Sequence, residues 1–448
     1  MTALNMDVSL ASSPGAADPP AALAGPAPGP ARRLAARFAL LAFGLYHLPL
    51  IVNDYPSLGG GGFRDEGLSR AWGHVFGQLG LWIARHVFGV TRDMSAGLSG
   101  DNGDTVEEYC RLLAGVVIAA IAATIWTLAD RRRPRAAWVE DWLRVLLRYS
   151  IALGLASYGM AKLYPVQFGQ LAATSLETRV GELTPFGLLW RFMEYSPVYN
   201  TFAGIMEMIV VVLLCFRRTT TLGALICLPV MANVALMNLC FDVPVKLFST
   251  MVVVSAAVLV LYDARALVDL LVRRPATRAP SPDPAPRSRR VRWARRLVAF
   301  ALVGGVILSS AIEMDRLHGL TLAEDASPAH GTWQVGSFVQ GGRELAGTAD
   351  PARWRRFIVS ARGVAIRLED DSLVRCQHEL DGAARTLQLT CPQRERQGAH
   401  VATLHWTRTG DELRLEGTCD GLPLTASLTR RDEAQLPLLS SRFSWTMD

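Results

Sequence analysis

Long apolar runs alternate with short polar, basic or Pro-rich stretches over the first two-thirds of the chain. Strand-like alternation of single apolar and polar positions takes over after about residue 320. A helix needs about 20 mostly apolar residues, at 1.5 Å rise each, to cross a bilayer. By that measure we expect seven spans, at about 34–52, 110–128, 146–163, 201–216, 221–240, 247–262 and 297–312. The fifth is the sharpest: Arg217 and Arg218 precede it, and the turn Asp242-Val-Pro-Val-Lys246 closes it. Between the first two spans, Leu68, Trp72, Val75, Phe76, Leu79, Trp82, Ile83 and Val87 recur at helical spacing. That pattern predicts an amphipathic helix on the membrane surface or against the bundle. The loop 164–200 carries Pro165, Pro185 and Pro197 and a shorter amphipathic stretch near 188–193.

Beyond the last span, alternation recurs at 357–368, 372–378, 386–391, 401–407 and 412–417, separated by hairpin signals at Asp381-Gly382, Gly410-Asp411 and Asp420-Gly421. We expect an antiparallel β domain of about eight strands, closed into a small barrel or sandwich. Gly331-Thr-Trp333 opens it and Arg442-Phe-Ser-Trp445 closes it. That pairing is similar to the lipocalin arrangement, in which a first-strand Trp packs against a late Arg. Trp333 is expected to plug the core.

Composition agrees with this division. Half of the 448 residues are hydrophobic, too many for an ordinary soluble chain of this length. The net charge of +6 sits in short clusters beside the apolar runs: Arg32, Arg33 and Arg37, then 131–135, then Arg217 and Arg218, then the Arg- and Pro-rich linker. That is the pattern of membrane topology and not of a nucleic-acid surface. All four clusters fall on one side, which predicts a bacterial inner-membrane protein with a cytoplasmic N-terminus and a periplasmic β domain. The expected organisation is a disordered tail (1–31), two leading spans (32–143), a four-helix core (144–265), a basic linker (266–296), the seventh span (297–314) and the β domain (315–448). The tail has no positive n-region before an apolar core and does not read as a signal peptide.

The seven cysteines form no Cys-x-x-Cys pair, so zinc, iron–sulfur and thioredoxin-type chemistry find no support. Cys215, Cys227 and Cys240 read as packing residues. Cys376, Cys391 and Cys419 lie in the outer domain, where a disulfide persists. A four-residue loop at 382–385 would set Cys376 opposite Cys391, leaving one of the three over; the sequence does not settle which. His47 is the lone histidine in a span, which argues against a bis-His haem. The loop Ser99-Gly-Asp-Asn-Gly-Asp-Thr105 lacks EF-hand spacing and reads as a turn capping the following helix.

The candidate chemistry lies in the outer half of the bundle. Lys162 ends the third span, and Glu207 lies about six residues, roughly 9 Å, inside the fourth. Asn233 and Asn238 are on the fifth, and Asp242 and Lys246 bracket the turn into the sixth. Side by side, these six would line one pocket. A carboxylate at that depth is protonated or paired. It serves either a proton-handling or ligand-anchoring role, or a polar clamp between helices. Arg148 and Glu194 read as interfacial anchors. Polar steps confined to the outer half argue against a transport pathway.

The stretches Tyr158-Gly-Met-Ala-Lys162-Leu-Tyr-Pro-Val-Gln-Phe168, Ala203-Gly-Ile-Met-Glu207 and Phe216-Arg-Arg-Thr-Thr-Thr-Leu-Gly223 resemble the DoxX-like membrane proteins. The resemblance covers residues 144–265. The chain is also similar to a group of larger bacterial proteins with the Gly103-Asp-Thr105 loop, the Asp242-to-Lys246 turn and a C-terminal β domain. The DoxX resemblance implies a four-helix membrane bundle, with Lys162 and Glu207 as the positions to carry over. It also implies a quinone- or redox-linked membrane module. That module would need a redox or envelope partner protein, because no metal, flavin or haem site is evident in the chain. The rival expectation is a non-enzymatic envelope anchor, in which the bundle presents a periplasmic β domain that binds a small molecule, lipid or protein.

Overall fold

The computed structural model describes residues 29–53, 66–91, 104–130, 137–273, 288–325, 327–345, 350–360, 363–392 and 399–440. The tail at 1–28, most of the Ser99 loop, the middle of the basic linker and the closing Arg442-Phe-Ser-Trp445 lie outside them.

The helical region begins with α1 (Pro30–Asn53), α2 (Glu66–His86), α3 (Val106–Ala129) and α4 (Ala137–Leu163). It continues with a single turn, α5 (Ala173–Leu176), a 3-10 turn at Val180–Glu182, α6 (Pro185–Tyr195), α7 (Pro197–Cys215), α8 (Thr220–Cys240), α9 (Lys246–Tyr262), α10 (Ala264–Val268) and the long α11 (Arg289–Asp325). Local signals set several starts. The Oγ1 of Thr105 accepts from the Glu108 N–H at 3.3 Å and opens α3. Thr184 and Ser196 cap α6 and α7 in the same way, at 3.0 and 3.3 Å. Pro185 and Pro197 occupy the first helical positions, where a missing N–H costs nothing.

Four helices are long and apolar enough to cross a membrane unaided: Val106–Ala129, Pro197–Cys215, Thr220–Cys240 and Arg289–Leu322. A fifth joins them if Lys246–Tyr262 and Ala264–Val272, bent by 68°, form one span. The protein is thus a multi-pass membrane protein in its helical part. Two of the seven expected spans, α1 and α4, are helices of 24 and 27 residues that are not among these. In α4 the reason is visible. It packs against α1, α7, α9 and α11, with Leu143, Leu147, Ile151, Leu153, Leu155 and Ala156 buried among them. Its charged residues meet partners on those neighbours instead of lipid.

Helix α2 packs on α3 through Gly77, Gly80, Leu81 and Ala84, while Val75 and Trp82 are exposed. The buried line is therefore rotated from the one that the large apolar residues predict. Small residues let the two backbones approach closely.

The C-terminal region is a closed antiparallel barrel. Its strands are β1 (Gly331–Gln340), β2 (Arg343–Glu344), β3 (Trp354–Ser360), β4 (Gly363–Leu368), β5 (Leu373–Asp381), β6 (Thr386–Pro392), β7 (Ala399–Thr409), β8 (Glu412–Cys419) and β9 (Leu422–Arg430). Neighbours run β1-β3-β4-β5-β6-β7-β8-β9, and β9 pairs back to β1, giving eight staves in up-and-down order. The two-residue β2 only folds back on the end of β1. Closure joins the first stave to the last. Asp420 and Gly421, both at positive φ, form the two-residue turn between β8 and β9. Trp333, Phe338, Trp354, Phe357, Leu389, Leu404, Trp406 and Leu415 are among the side chains that fill the interior. Trp333 is the plug that the sequence predicts. Its Nε1 donates to the Ala329 carbonyl at 2.8 Å, and the Arg408 guanidinium lies 5.5 Å from its ring centre. Cys376 and Cys391, side by side on β5 and β6, are joined in a disulfide.

Strands β6 to β9 alternate buried and exposed residues, as a barrel wall facing water should. Strands β3 and β4 do not: four consecutive residues of each are buried. Something covers their outer face, and that cover defines the site.

Candidate functional site

In the bundle, the Nζ of Lys162 lies 2.9 and 3.0 Å from the two carboxylate oxygens of Glu207, with side chains 7% and 3% exposed. Backbone proximity makes this contact. A Cβ at Gly204 would sit 3.0 Å from the Gly159 carbonyl, and one at Gly159 would sit 3.1 Å from the Met208 sulfur. Glycines on both helices let α4 and α7 cross tightly beside the pair. The Lys162 ammonium also lies 5.6 Å from the Tyr158 ring centre.

The other expected site residues serve a second device. Asn238 Nδ2 donates to the Ser249 hydroxyl at 3.0 Å and to the Val245 carbonyl at 3.4 Å, tying the end of α8 to the start of α9. Lys246 pairs with Asp242 at 2.8 Å and approaches Asp104 at 3.9 Å. Asp104 accepts from the N–H groups of Lys246 and Leu247 at 2.5 and 2.8 Å, so it caps α9 from a loop 142 residues earlier. The Gly-Asp-Thr loop and the Asp242-to-Lys246 turn, read separately in the sequence, are two halves of one contact. Thr105 caps its own helix, as the turn reading has it; Asp104 caps another. Asn233 lies on an exposed face of α8. The six candidates thus divide into an ion pair, a helix-hairpin lock and one outlying amide, and the single shared pocket gives way to this arrangement. The reason is helical phase: Asn238 lies on the buried side of α8, and Asn233, five residues earlier, does not.

The anchors also have defined partners. The Arg148 guanidinium donates to the Leu214 carbonyl at 2.9 and 3.1 Å and to Cys215 at 3.3 Å, closing the C-terminus of α7. Glu194 accepts from Arg191 at 2.9 Å and from the Ser175 hydroxyl at 2.9 Å, holding α5 against α6.

The second constellation, which the sequence does not reveal, is the seam between the 173–182 loop and the barrel. Ala173 packs on Ile358 and Ala365 from the outer face of β3 and β4. Around this apolar contact, Glu177 accepts from Arg356 and from Arg431, the latter at 2.5 Å. Glu182 accepts from Arg367 at 2.6 and 3.2 Å. Arg367, almost fully buried, also donates to the carbonyls of Glu177 and Asp371. Thr174 and Ser360 hydroxyls meet at 3.3 Å, and Arg375 donates to Thr178 at 3.1 Å. The Arg367 hydrogen bond holds the Glu182 carboxyl below its usual value of 4.5.

A bulge in β3 builds this surface. Pairing with β4 shifts between Trp354 and Arg356. Trp354 and Phe357 both face the core, so the two residues between them, Arg355 and Arg356, both face out. A cavity of about 280 Å³ opens beside the seam, lined by Arg179, Arg355, Arg356, Arg367 and Arg431 together with Glu177 and Asp371.

Among the described residues, no three His, Cys, Asp or Glu side chains gather in a way that could hold a metal ion. The leftover Cys419 has its thiol pushed up to about 11, mainly by burial, so it stays protonated at neutral pH.

Over 137 residues, 31% of this chain and 87% of the relative, the protein is 35% identical to the uncharacterized protein YwoB of Bacillus subtilis. Over that stretch the chain belongs to the family of YwoB. No family model matches the chain, and no solved structure matches it.

Proposed function

We propose that this is a non-enzymatic envelope protein: a seven-span inner-membrane anchor that holds its β-barrel as a fixed binding platform on the periplasmic side. The observation that carries this reading is the seam. Two loop carboxylates, Glu177 and Glu182, engage three barrel arginines across a buried apolar contact. A barrel serving only as a tethered appendage would need no such clamp. Support for seven crossings comes from α1 and α4, whose 24 and 27 residues are enough to span. The clustering of Arg on alternate loops supports the orientation. The barrel interior is filled by side chains, so the binding face of such a platform is its outer wall.

The second reading, a quinone-linked module of DoxX-like type, draws on the buried Lys162–Glu207 pair and on the resemblance around it. In its favour, a carboxylate at that depth is costly and needs a reason. The bidentate contact with Lys162 supplies one without a ligand. Mass spectrometry of small molecules retained by the full-length protein in mild detergent, beside Glu207→Gln, separates the two. The platform reading expects the same phospholipid in both. A quinone held by the wild type and lost from E207Q would overturn it in favour of the redox module.

A further inference from the structure

We propose that the arginine-lined cavity at the seam binds a phosphate-type oxyanion, either a phospholipid headgroup or a soluble phosphate. Five guanidiniums and two carboxylates line it. Each carboxylate is already shared: Glu177 between Arg356 and Arg431, Asp371 between Arg355 and Arg179. The lining therefore carries a surplus of three positive charges, or two once Glu182, which pairs with Arg367 from beside it, is counted.

A second observation points the same way. The Nε–H groups of Arg355 and Arg356 are buried and find no acceptor among the described residues. A buried donor left unmet costs about 1–3 kcal/mol, more on a charged group. Two such donors mark the adjacent Arg355 and Arg356, turned to one side by the bulge, as guanidiniums whose hydrogen bonding is incomplete. A ligand that balanced the surplus would offer several oxygens and two negative charges. A carboxylate offers one charge in one plane, whereas a phosphate fills both requirements, and guanidinium forks match its geometry. At about 280 Å³ the cavity suits a headgroup-sized anion rather than a larger ligand. Four of the five arginines come from the barrel and Arg179 from the interspan loop, so a bound phosphate would bridge the two. The 173–182 loop lies between α4 and α7 in the chain, so a lipid headgroup is one source of the phosphate to test.

The inference rests on the docked arrangement described above, and the test keeps the two apart. Full-length protein in a neutral maltoside detergent is titrated with inorganic phosphate, against sodium chloride at equal ionic strength, and thermal unfolding is followed. Phosphate should raise the Tm saturably and chloride should not. Arg355→Gln, which leaves Glu177, Arg356, Arg367 and Arg431 in place, should weaken phosphate binding roughly tenfold or more. Asp371→Asn should tighten it, because it removes a resident negative charge. Asn tolerates the left-handed backbone at that position, φ 69°. Docking is read independently from cross-linking of a Thr174→Cys/Ser360→Cys pair, whose native hydroxyls are 3.3 Å apart. Anionic phospholipid retained by the wild type and lost from R355Q assigns the lipid source. Saturable phosphate binding with equal lipid retention assigns the soluble one. If docking is intact yet phosphate acts like chloride and lipid retention is equal in both proteins, the proposal fails. It fails equally if R355Q and D371N move affinity in the same direction.

Discussion

Replacing Glu177 by Gln keeps the side-chain shape and removes the charge that two barrel arginines share. The carboxylate is 6% exposed, and Arg356 and Arg431 are 25% and 33% exposed. A net charge-assisted hydrogen bond contributes about 1.5–3 kcal/mol, so two would contribute about 3–6. Both guanidiniums are partly hydrated, and solvent screening takes back a large share, leaving about 2–3 kcal/mol. At 1.4 kcal/mol per tenfold, the undocked fraction should rise about 30- to 150-fold. The tie at Arg367 and Glu182 and the Ala173, Ile358 and Ala365 contact remain, so the barrel should open more often without being lost. Hydrogen exchange of the 173–182 amides in detergent micelles reads that fraction directly. Faster exchange confined to this loop and to β3 and β4, with barrel-core protection unchanged, is expected. If exchange in the loop is the same in both proteins, the ionic clamp is ornamental and apolar burial alone holds the seam.

Three other outcomes follow from the same geometry. Lys162→Met strands a buried carboxylate and should cost about 3–5 kcal/mol, whereas Lys162→Met combined with Glu207→Leu should recover most of it; unfolding in mixed micelles measures both, and a double variant as unstable as the single would refute a purely structural pair. Asp104→Ala removes two hydrogen bonds from the first turn of α9 and should cost about 1–2 kcal/mol, while Thr105→Ala, which uncaps α3 instead, should leave α9 protection unchanged in hydrogen exchange. The Glu182 carboxyl is held below its ordinary value by Arg367, so its contribution to docking is complete above the ordinary carboxylate range and declines as pH falls through the lowered folded value; hydrogen-exchange protection factors of the 173–182 amides should accordingly be constant from neutral pH to about 5 and fall below it, and a fall centred near pH 7 would contradict the assignment.

Legibility in the sequence tracked how local the cause was. Helices α7 and α8 are continuous apolar runs, and their length alone announces them. The hairpin at Asp420-Gly421 and the Pro starts of α6 and α7 are equally local. Helix α4 is harder, because its charges find partners on other helices: Arg148 on the end of α7, Lys162 on Glu207. An apolarity count sees the charge and not the partner. The Lys162 and Glu207 contact was within reach, since a carboxylate inside a span needs a partner and Lys162, at the end of the preceding span, is one of few cations near it. Helical phase separated Asn238 from Asn233, which depth alone could not do. The seam was out of reach. Glu177 and Arg356 are 179 residues apart, and the bulge that turns Arg355 and Arg356 to one side breaks the alternation by which a strand is read.

The contacts also form a continuous path from the barrel into the membrane, and its stiffness can be argued link by link. Arg356, Arg367 and Arg431 hold the 173–182 loop. Ser175 of that loop is bonded to Glu194 of α6. The Asn200 amide of α7 donates back to the Met193 carbonyl of α6 at 3.0 Å, and about one and two turns further along α7 Gly204 and Glu207 meet Gly159 and Lys162 of α4. Sliding α7 along α4 would bring a residue with a Cβ to the place where Gly204 faces the Gly159 carbonyl, and would separate a buried ion pair. Tilting the barrel without moving α7 would instead break the Glu177 and Glu182 clamps. The bundle and the barrel wall are therefore coupled through α6 and α7, and the softest link in that path is the partly hydrated seam, the place where an oxyanion bound between loop and barrel would have the most to stiffen.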